Sequence, residues 1–417
     1  MSRQTGPLVA MGILFFMFGF ITCLNDILVP HMKSLFDLNY TQAAFIQFSF
    51  FTAYFVMAFP SSWLISRLGY QRSIVTALAV AALGALAFYP ASVQQSYPMF
   101  LGGLFTLASG FALLQTALNP YVAVLGPQER SSARLSLFQA FNSVGTTLAP
   151  FIGASLILGA HMLTSSEVVG LSEEARIAYR TSQSEAVQLP YLVLMGILAV
   201  LAVVVALLKL PTIESVEGDD ERSVSFLAPL RQPHLLKGVI GVFAYVGAEV
   251  AIGSFMVNYL HERAGIAEAS AARYVAMYWG GAMVGRFVGS YILTRVSPGT
   301  LLGVMAIVNV VLTASSTTLH GMTAVYALLA CGLLNSIMFS TIFTLAIKDL
   351  GVMTNKGSSW LIAAILGGAI IPAIQGAIAD ATGTLVWSYL LPTACYIYIA
   401  YYGFRGSRHT IAAQARA

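Results

Sequence analysis

Two matching segments, Val124-Leu-Gly-Pro-Gln-Glu-Arg-Ser-Ser132 and Asp349-Leu-Gly-Val-Met-Thr-Asn-Lys-Gly-Ser-Ser359, decide the fold of this chain. Each follows a long apolar run and precedes a second one that contains a proline, Pro150 after the first segment and Pro372 after the second. The Leu-Gly pairs at 125 and 350 are 225 residues apart, the Ser-Ser pairs at 131 and 358 are 227 apart, and the prolines are 222 apart. This nearly constant offset indicates that the chain contains two parallel copies of one unit.

The amino-acid composition is that of a protein embedded in a membrane. Of the 417 residues, 58% are hydrophobic and only 9% are charged, whereas about 25% are charged in a typical soluble domain. Twelve segments each supply the roughly 20 apolar residues that cross a bilayer, and none has the alternating pattern of an outer-membrane strand. The predicted fold is therefore all-α, with transmembrane helices at 8–33, 44–66, 73–93, 98–125, 135–162, 188–209, 236–260, 270–294, 300–318, 321–349, 356–379 and 384–404.

The charged segment 210–237 divides the predicted helices into two groups of six. It is too polar to insert into a bilayer, because it carries six charged residues between Glu214 and Arg222. We expect an N-terminal half at 1–209, a cytoplasmic linker at 210–237 and a C-terminal half at 238–417. A parallel repeat of six helices is the pattern of the major facilitator fold, whose halves enclose a site at the membrane midplane.

The basic residues predict how the chain is oriented in the membrane. With twelve helices and a cytoplasmic N-terminus, 16 of the 21 lysines and arginines fall on the cytoplasmic side. The five that fall outside are Lys33, Arg176, Arg180, Arg263 and Arg273. The positive-inside rule therefore predicts that both termini are cytoplasmic. The net charge of +4 follows from this topology and does not indicate nucleic-acid binding.

No pattern in the sequence indicates a metal site, a cofactor or an enzyme. The three cysteines, Cys23, Cys331 and Cys395, lie in apolar segments and lack the spacing of metal ligands. The six histidines form no HExxH or similar pair, and no nucleotide-binding loop is present. We predict that the protein is not an enzyme and uses no cofactor.

Two carboxylates, those of Asp26 and Glu249, lie in the middle of long apolar runs. An ionised acid at the bilayer centre costs about 2.5–3.5 kcal/mol on insertion scales, so such an acid usually faces a polar cavity and marks an ion or substrate path. Their similar positions in the two halves favour a role in cation coupling. The alternative is that each is a neutral acid that hydrogen-bonds a neighbouring helix.

Amide side chains form a second polar set within the predicted helices. Gln115 and Asn119 are spaced i, i+4, and Gln139 and Asn142 are spaced i, i+3, so each pair shares a helical face. Amides both donate and accept hydrogen bonds, which suits a polyhydroxylated ligand. The alternative is a set of interhelical bonds worth about 0.6 kcal/mol each. The candidate substrate-binding residues are Asn25, Gln115, Asn119, Gln139, Asn142, Asn335 and Trp360.

Three arginines near predicted turns are candidates for an inner gate. Arg67 and Arg72 follow the second predicted helix, and we assign Arg286 to the corresponding turn between the eighth and ninth helices. Such arginines hold an inner gate through charge pairs and helix C-termini. The alternative is that they serve only as the positive charges that set the topology.

Three segments carry a family resemblance: Phe18-Gly-Phe-Ile-Thr-Cys-Leu-Asn-Asp-Ile-Leu-Val-Pro30, Leu114-Gln-Thr-Ala-Leu-Asn-Pro-Tyr-Val-Ala-Val-Leu-Gly-Pro127 and Gln139-Ala-Phe-Asn-Ser-Val-Gly145. They resemble the fucose–galactose–hexose proton symporter family of major facilitators. A fourth segment, Tyr245-Val-Gly-Ala-Glu-Val-Ala-Ile-Gly-Ser254, is similar to the bacterial glucose/galactose transporter branch of that family. The resemblance covers essentially the whole chain.

The resemblance implies roles for particular residues. In the fucose symporter, the acid that corresponds to Asp26 is a protonation and sugar-linked site, and the amides that correspond to Gln139 and Asn142 line the sugar cavity. One departure matters, because Gln115 stands where the fucose symporter has a glutamate, and a glutamine cannot titrate. Glu249 stands where the fucose symporter has an amide, so it is a candidate to replace the missing acid.

We therefore expect a monomeric secondary active transporter of a bacterial inner membrane that takes up a hexose together with H⁺ or Na⁺. Oxygen-bearing side chains near Asp26 or Glu249 could hold Na⁺, so the sequence leaves the two cations open. The alternatives are an exporter of drugs or other small molecules on the same fold, and a sugar facilitator without coupling. The expected partners are the sugar, the cation and the lipid bilayer.

Overall fold

The computed structural model describes residues 5–35, 40–157, 170, 172–208, 210–211 and 224–408. Within those ranges, the side chains at 5–7, 24–35, 40–45, 150–157, 180, 183–184, 186–187, 268–269 and 272 lie outside the description. Most of the predicted linker, from 212 to 223, also lies outside it.

Helices make up the regular structure of the described residues, which contain no β-strand. The earlier part of the chain forms α1 (Thr5–Leu35), α2 (Tyr40–Val93), α3 (Tyr97–Val124), α4 (Ser131–Ile157) and α5 (Glu173–Leu207). The later part forms α6 (Pro233–Ala264), α7 (Glu268–Ile292), α8 (Pro298–Ser315), α9 (Gly321–Asn335), α10 (Met338–Ala346), α11 (Thr354–Ala363), α12 (Gly367–Thr382) and α13 (Leu390–Tyr401). The all-α prediction is confirmed.

The long helix α2 contains the second and third predicted spans. Its apolar part, Ile46–Val93, has 48 residues, which at 1.5 Å per residue is about 72 Å and far exceeds the roughly 30 Å of a bilayer core. Gly69 divides it, with φ 71° and ψ 174°. That backbone conformation is open essentially only to glycine, so the chain turns here between two crossings.

Helix α5 begins earlier than hydropathy predicts. The expected span starts at 188, but the helix starts at Glu173. The side chain of Ser172 caps its N-terminus by accepting a hydrogen bond of 3.3 Å from the Ala175 backbone N–H, and two glutamates occupy the first turn. Capping and the helix dipole therefore extend α5 beyond its apolar part, Gln188–Leu207.

The tenth and eleventh predicted spans each contain an irregular turn. The tenth breaks at Ser336 and Ile337, between α9 and α10. The eleventh passes through a 3₁₀ turn at Ala364–Leu366, between α11 and α12. Broken helices free backbone carbonyls inside the protein, which is a recurrent feature of transporter binding sites.

The helices form two compact units. The first comprises Met1–Leu118 and Phe141–Thr212, and the second comprises Asn119–Ala140 and Ile213–Ala417. Contacts of 119–140 with helices α6 to α13 are therefore contacts inside the second unit. The predicted halves at 1–209 and 238–417 stay a prediction.

Small residues allow close helix packing inside the first unit. A Cβ atom built on Gly110 of α3 would lie 2.5 Å from the backbone nitrogen of Ala81 in α2. Gly102, on the same helix, has no atom within 4 Å of such a Cβ. Tight backbone contact of this kind is how membrane helices gain dispersion energy where lipid removes the hydrophobic driving force.

We predict that Gly110→Ala destabilises the protein, because the added methyl group forces α2 and α3 apart, at a cost of about 1–3 kcal/mol. Gly102→Ala is the matched control and should keep or slightly raise stability, since alanine is the better helix former. Thermal denaturation of the purified variants in detergent checks this. Equal melting temperatures for the two variants would contradict the packing argument.

Candidate functional site

The carboxylate of Glu249 lies buried in the second unit, on α6. Arg286 on α7 places Nη2 3.9 Å from Oε1 of Glu249, and the two side chains are only 13% and 12% exposed, with Arg286 first. Glu249 Oε1 has no hydrogen-bond partner among the described residues. Tyr245, one helical turn earlier, is electrostatically close to both charges, but its hydroxyl lacks hydrogen-bond geometry to either.

Arg286 is held by backbone carbonyl groups. Its Nε donates to the carbonyl of Ser336 at 3.2 Å, and its Nη1 donates to the carbonyl of Gln139 in α4 at 3.5 Å. The Ser336 carbonyl lies at the break after α9. Gly285 permits this approach, because a Cβ there would lie 2.5 Å from the Leu333 carbonyl oxygen and from Ser336 Oγ.

The prediction that Arg286 lies in the turn after the eighth helix is wrong. That turn runs from Leu293 to Ser297, and Arg286 lies more than one helical turn inside the end of α7. Hydropathy does not reveal this position, because a single arginine in an apolar segment is equally compatible with the interior and with the end of a helix. Its role in an inner gate stays a prediction.

The amide candidates of α3 and α4 lie in two different surroundings. In the second unit, Gln139 Nε2 donates to Asn119 Oδ1 at 3.4 Å, and Asn119 Nδ2 has no partner among the described residues. In the first unit, Asn142 Nδ2 donates to the Phe15 carbonyl at 3.3 Å, and Gln115 Nε2 donates to Tyr54 Oη at 3.3 Å. The carboxamide of Asn119 thus retains hydrogen-bonding capacity in a fully buried position.

Asn335 is the centre of a buried hydrogen-bond network that ties four helices together. Its Nδ2 donates to Tyr278 Oη at 2.9 Å, and its Oδ1 accepts from Asn309 Nδ2 and from Tyr396 Oη, both at 2.8 Å. The Tyr278 hydroxyl donates in turn to the backbone carbonyl of Glu249 at 3.3 Å. The network supports the helix that carries the acid. Sequence reasoning missed Asn309, which shows the same signal as Asn335, an amide within an apolar segment.

Trp360 on α11 binds the described part of the predicted linker 210–237. Its Nε1 donates to the Phe226 carbonyl at 3.0 Å, and its ring lies 5.1 Å from the Phe226 ring. Lys356 Nζ, one turn earlier, donates to the Val224 carbonyl at 2.8 Å. The predicted sugar contacts of Trp360 and Asn335 stay predictions, and here the polar atoms of both side chains are bonded to protein.

Fewer contacts are described for the remaining candidate site residues. Asn25 and Asp26 belong to α1, but their side chains lie outside the described residues. Arg67 and Arg72 are exposed on either side of the turn at Gly69, and the Arg67 guanidinium lies 4.6 Å from the ring centre of Trp63. Their inner-gate role stays a prediction.

The two repeat segments bind one another inside the second unit. Gln128 Nε2 donates to Asp349 Oδ1 at 3.0 Å, and the hydroxyls of Ser132 and Thr344 are 2.5 Å apart. Asp349 has a left-handed backbone with φ 57°, which is uncommon for a residue other than glycine. Sequence reasoning recognised the repeat but missed these contacts, because spacing alone does not show that two copies meet.

Arg134 fixes the end of α3 beside this contact. Its Nε donates to the Val122 carbonyl at 2.6 Å, its Nη1 donates to the Pro127 carbonyl at 3.3 Å, and its Nη2 donates to the Ala123 carbonyl. Cations at a helix C-terminus satisfy its free carbonyls and its dipole. Arg134 therefore caps the C-terminus of α3.

The described residues contain no group of three or more His, Cys, Asp or Glu side chains that could hold a metal ion. A comparison with protein families then gives a match to the Major Facilitator Superfamily over residues 10–372. The chain belongs to the Major Facilitator Superfamily. It is a multi-pass membrane transporter, and the predicted family and fold are confirmed, as is the prediction that it is not an enzyme.

Several relatives of this transporter match it over nearly its full length. The glucose/galactose transporter of Brucella abortus biovar 1 (strain 9-941) is 48% identical over 406 residues, covering 96% of this chain and 94% of that protein. The L-fucose-proton symporter of Escherichia coli (strain K12) is 36% identical over 399 residues, covering 94% and 91%. Among solved structures, the transporter FucP in the outward conformation is 35% identical, with a TM-score of 0.91, covering 98% of this chain and 100% of that one.

We predict that Asn335→Ala lowers stability, because it removes the hydrogen-bond partner of two tyrosine hydroxyls and of one amide, all of them buried. An orphaned buried polar group costs about 1–3 kcal/mol. Leu333→Ala is the control on the exposed face of the same helix. Melting temperatures of the purified variants measure the difference. A variant Asn335→Ala with wild-type stability and weakened sugar binding would instead indicate a substrate contact.

Proposed function

We propose that this transporter takes up a hexose of the glucose/galactose type by symport with H⁺ or Na⁺. Access alternates between two halves, 1–209 and 238–417, joined by a cytoplasmic linker at 210–237. The observation that carries the proposal is the 48% identity, over 96% of the chain, to a protein named as a glucose/galactose transporter. Relatives named as L-fucose-proton symporters support coupling to a cation.

The buried amides of α3 and α4 support a polyhydroxylated substrate. Asn119 and Gln139 contact each other, and Asn119 Nδ2 has no partner among the described residues. A buried donor without an acceptor is costly, and a sugar hydroxyl would relieve that cost. Gln115, Asn119, Gln139 and Asn142 are therefore the proposed sugar-binding residues.

The carboxylates of Asp26 and Glu249 are the proposed coupling groups. Glu249 supports this role because its Oε1 is buried without a hydrogen bond and lies 3.9 Å from a guanidinium. Burial disfavours the charge of such a carboxylate and the guanidinium favours it, so a cation that competes with the guanidinium can change the charge balance of the site. Gln115 cannot exchange a proton, which leaves these two acids within the apolar spans as the groups that change charge.

The distribution of basic residues supports the proposed location and orientation. Once Arg286 is counted within α7, 15 of the 21 lysines and arginines remain on the predicted inner side, so both termini are cytoplasmic in a bacterial inner membrane. The transporter acts as a monomer, with the sugar, the cation and the lipid as its partners.

Uptake of radiolabelled hexose into membrane vesicles, under imposed proton or sodium gradients, tests substrate and coupling together. We expect glucose or galactose to accumulate against its gradient when one of the two cation gradients is inward. Equilibration without accumulation would indicate an uncoupled facilitator. Export of the label, or no hexose transport, would contradict the proposal.

We predict that Asp26→Asn and Glu249→Gln each lose gradient-driven accumulation and retain at least part of the sugar exchange activity. The reason is that neither side chain can then change its charge during the cycle. Accumulation and counterflow in the same vesicle preparation separate the two effects. Wild-type accumulation in both variants would exclude these acids as coupling groups.

We predict that Gln139→Ala and Asn142→Ala each weaken hexose binding roughly two- to tenfold, since one lost hydrogen bond is worth about 0.5–1.5 kcal/mol. Binding to the purified protein measures the affinity, and thermal denaturation measures folding. An unchanged affinity together with a lower melting temperature would mean that the amides only join helices.

A further inference from the structure

We propose that the start of α6 and the end of α13 form a binding site for one anionic phospholipid, whose phosphate lies between Lys237 and Arg405. The inference goes beyond the proposed function, because it concerns a lipid ligand and holds for whatever solute the transporter carries. The two helices pack against each other in the second unit. Both basic side chains lie on the predicted cytoplasmic side of the membrane.

Helix α13 carries an exposed stripe that changes from apolar to basic. Leu390, Ile397 and Tyr401 are exposed, and Arg405 and Arg408 continue the same stripe beyond the end of the helix. Spacings of three, four and seven residues keep these positions on one helical face. Tyr401 comes 11 positions after Leu390, which is roughly 16 Å at 1.5 Å per residue and matches one leaflet of a hydrocarbon core of about 30 Å.

The start of α6 presents a second exposed stripe beside the first. Leu236 and Ile240 are exposed, and Lys237 is half-buried next to them. Ala244, one turn further along the same face, is buried. Helix α6 therefore meets lipid on this face only near the level of the head groups, and α13 supplies the longer apolar surface for the acyl chains.

Two contacts bring the cation of α6 onto α13. The hydroxyl of Tyr398 donates to the Lys237 carbonyl at 2.9 Å, which joins the two helices at this level. Lys237 Nζ lies 5.8 Å from the ring centre of Tyr401. Arg405 follows Tyr401 by about one helical turn, so the two cations flank one tyrosine at the end of the apolar stripe.

The backbone around Arg405 is also fixed against α6. Arg405 lies in a π-helical turn, Tyr402–Gly406, in which the Ser407 N–H donates to the Tyr402 carbonyl at 2.8 Å. The hydroxyl of Tyr402 donates to the His234 carbonyl, in the first turn of α6, at 3.3 Å. Isolated π-helical turns are rare and recur at functional sites. The site is therefore built on two helix ends that hold each other in place.

The charges of the site are complementary to a phosphate group. No carboxylate among the described residues pairs with Lys237, Arg405 or Arg408. Basic clusters at the cytoplasmic ends of membrane helices attract anionic head groups, and tyrosine is favoured at the same depth. A zwitterionic lipid brings its own cation and gains less. The alternative is that these residues only set the topology, in which case anionic lipids gather diffusely around every basic helix end.

Native mass spectrometry of the purified protein with phosphatidylglycerol, and separately with phosphatidylcholine, tests the site. The first phosphatidylglycerol should bind at least about tenfold more tightly than phosphatidylcholine. Lys237→Gln and Arg405→Gln should each weaken its binding roughly fivefold, the factor that corresponds to about 1 kcal/mol per basic residue. Neither substitution should change the affinity for phosphatidylcholine.

Arg295→Gln is the matched control. Arg295 is exposed after α7, and its guanidinium lies 4.8 Å from the ring centre of Tyr291, so it is the same kind of cation–tyrosine pair at a different helix end. This variant should bind phosphatidylglycerol as wild type does. An equal loss in Arg295→Gln would show diffuse attraction and overturn the proposal, as would wild-type affinity in both Lys237→Gln and Arg405→Gln.

Photo-crosslinking of the wild-type protein tests the site without any variant that could misfold. A photoactivatable phosphatidylglycerol should label peptides that cover 232–241 and 397–408, and excess unlabelled phosphatidylglycerol should suppress the labelling. Labelling confined to other peptides, or equal suppression by inorganic phosphate, would overturn the proposal. A transporter that moves no hexose would sink the proposed function, whereas the two lipid experiments would still decide whether this site exists.

Discussion

A backbone carbonyl freed by a helix break inside a bilayer must find its donor within the protein, and this constraint organises the second unit. The break between α9 and α10 leaves the Ser336 carbonyl without a helical partner, and Arg286 supplies the donor. Lipid tails could not supply that donor. The glycine at position 285 brings the helices close enough for that bond, and the same guanidinium then reaches both α4 and Glu249.

The low dielectric of the protein interior makes hydrogen bonding decisive for two kinds of buried polar cluster. Around Asn335, three neighbours use both ends of one carboxamide, and these bonds rigidify the helices they join, although Oδ1 of Asn309 has no hydrogen-bond partner among the described residues. Around Glu249 and Asn119, at least one buried polar atom lacks a hydrogen-bond partner among the described residues. A protein tolerates that cost where another arrangement or a bound ligand relieves it. The hydrogen bonds of Asn335 therefore join helices, whereas the unbonded atoms of Glu249 and Asn119 can take another partner.

Much of the fold could be predicted from the sequence, because apolar length, charge asymmetry and the repeat spacing are properties of single segments. The position of Glu249 in a buried stretch of α6 follows from the same reasoning. The partner of Glu249 could not be predicted, since Arg286 is far away in sequence and has the appearance of an end-of-helix charge. The break at Ser336 was equally hidden, because neither a proline nor a glycine lies at the break itself. For α5, hydropathy placed the start of the helix too late, because the capped polar turns before its apolar part are also helical.

The contact between the repeat segments has a consequence for how the two copies evolve. Gln128 donates to Asp349, and moving each partner by the repeat offset of 225 residues gives Met353 and Val124, which form no conventional side-chain hydrogen bond. An ancestor built from two identical copies would have repeated every such pairing. Here the pairing of Gln128 with Asp349 is polar, whereas the pair offset from it by the repeat is apolar. In this contact the first segment donates and the second accepts, so the two segments are not interchangeable at these positions.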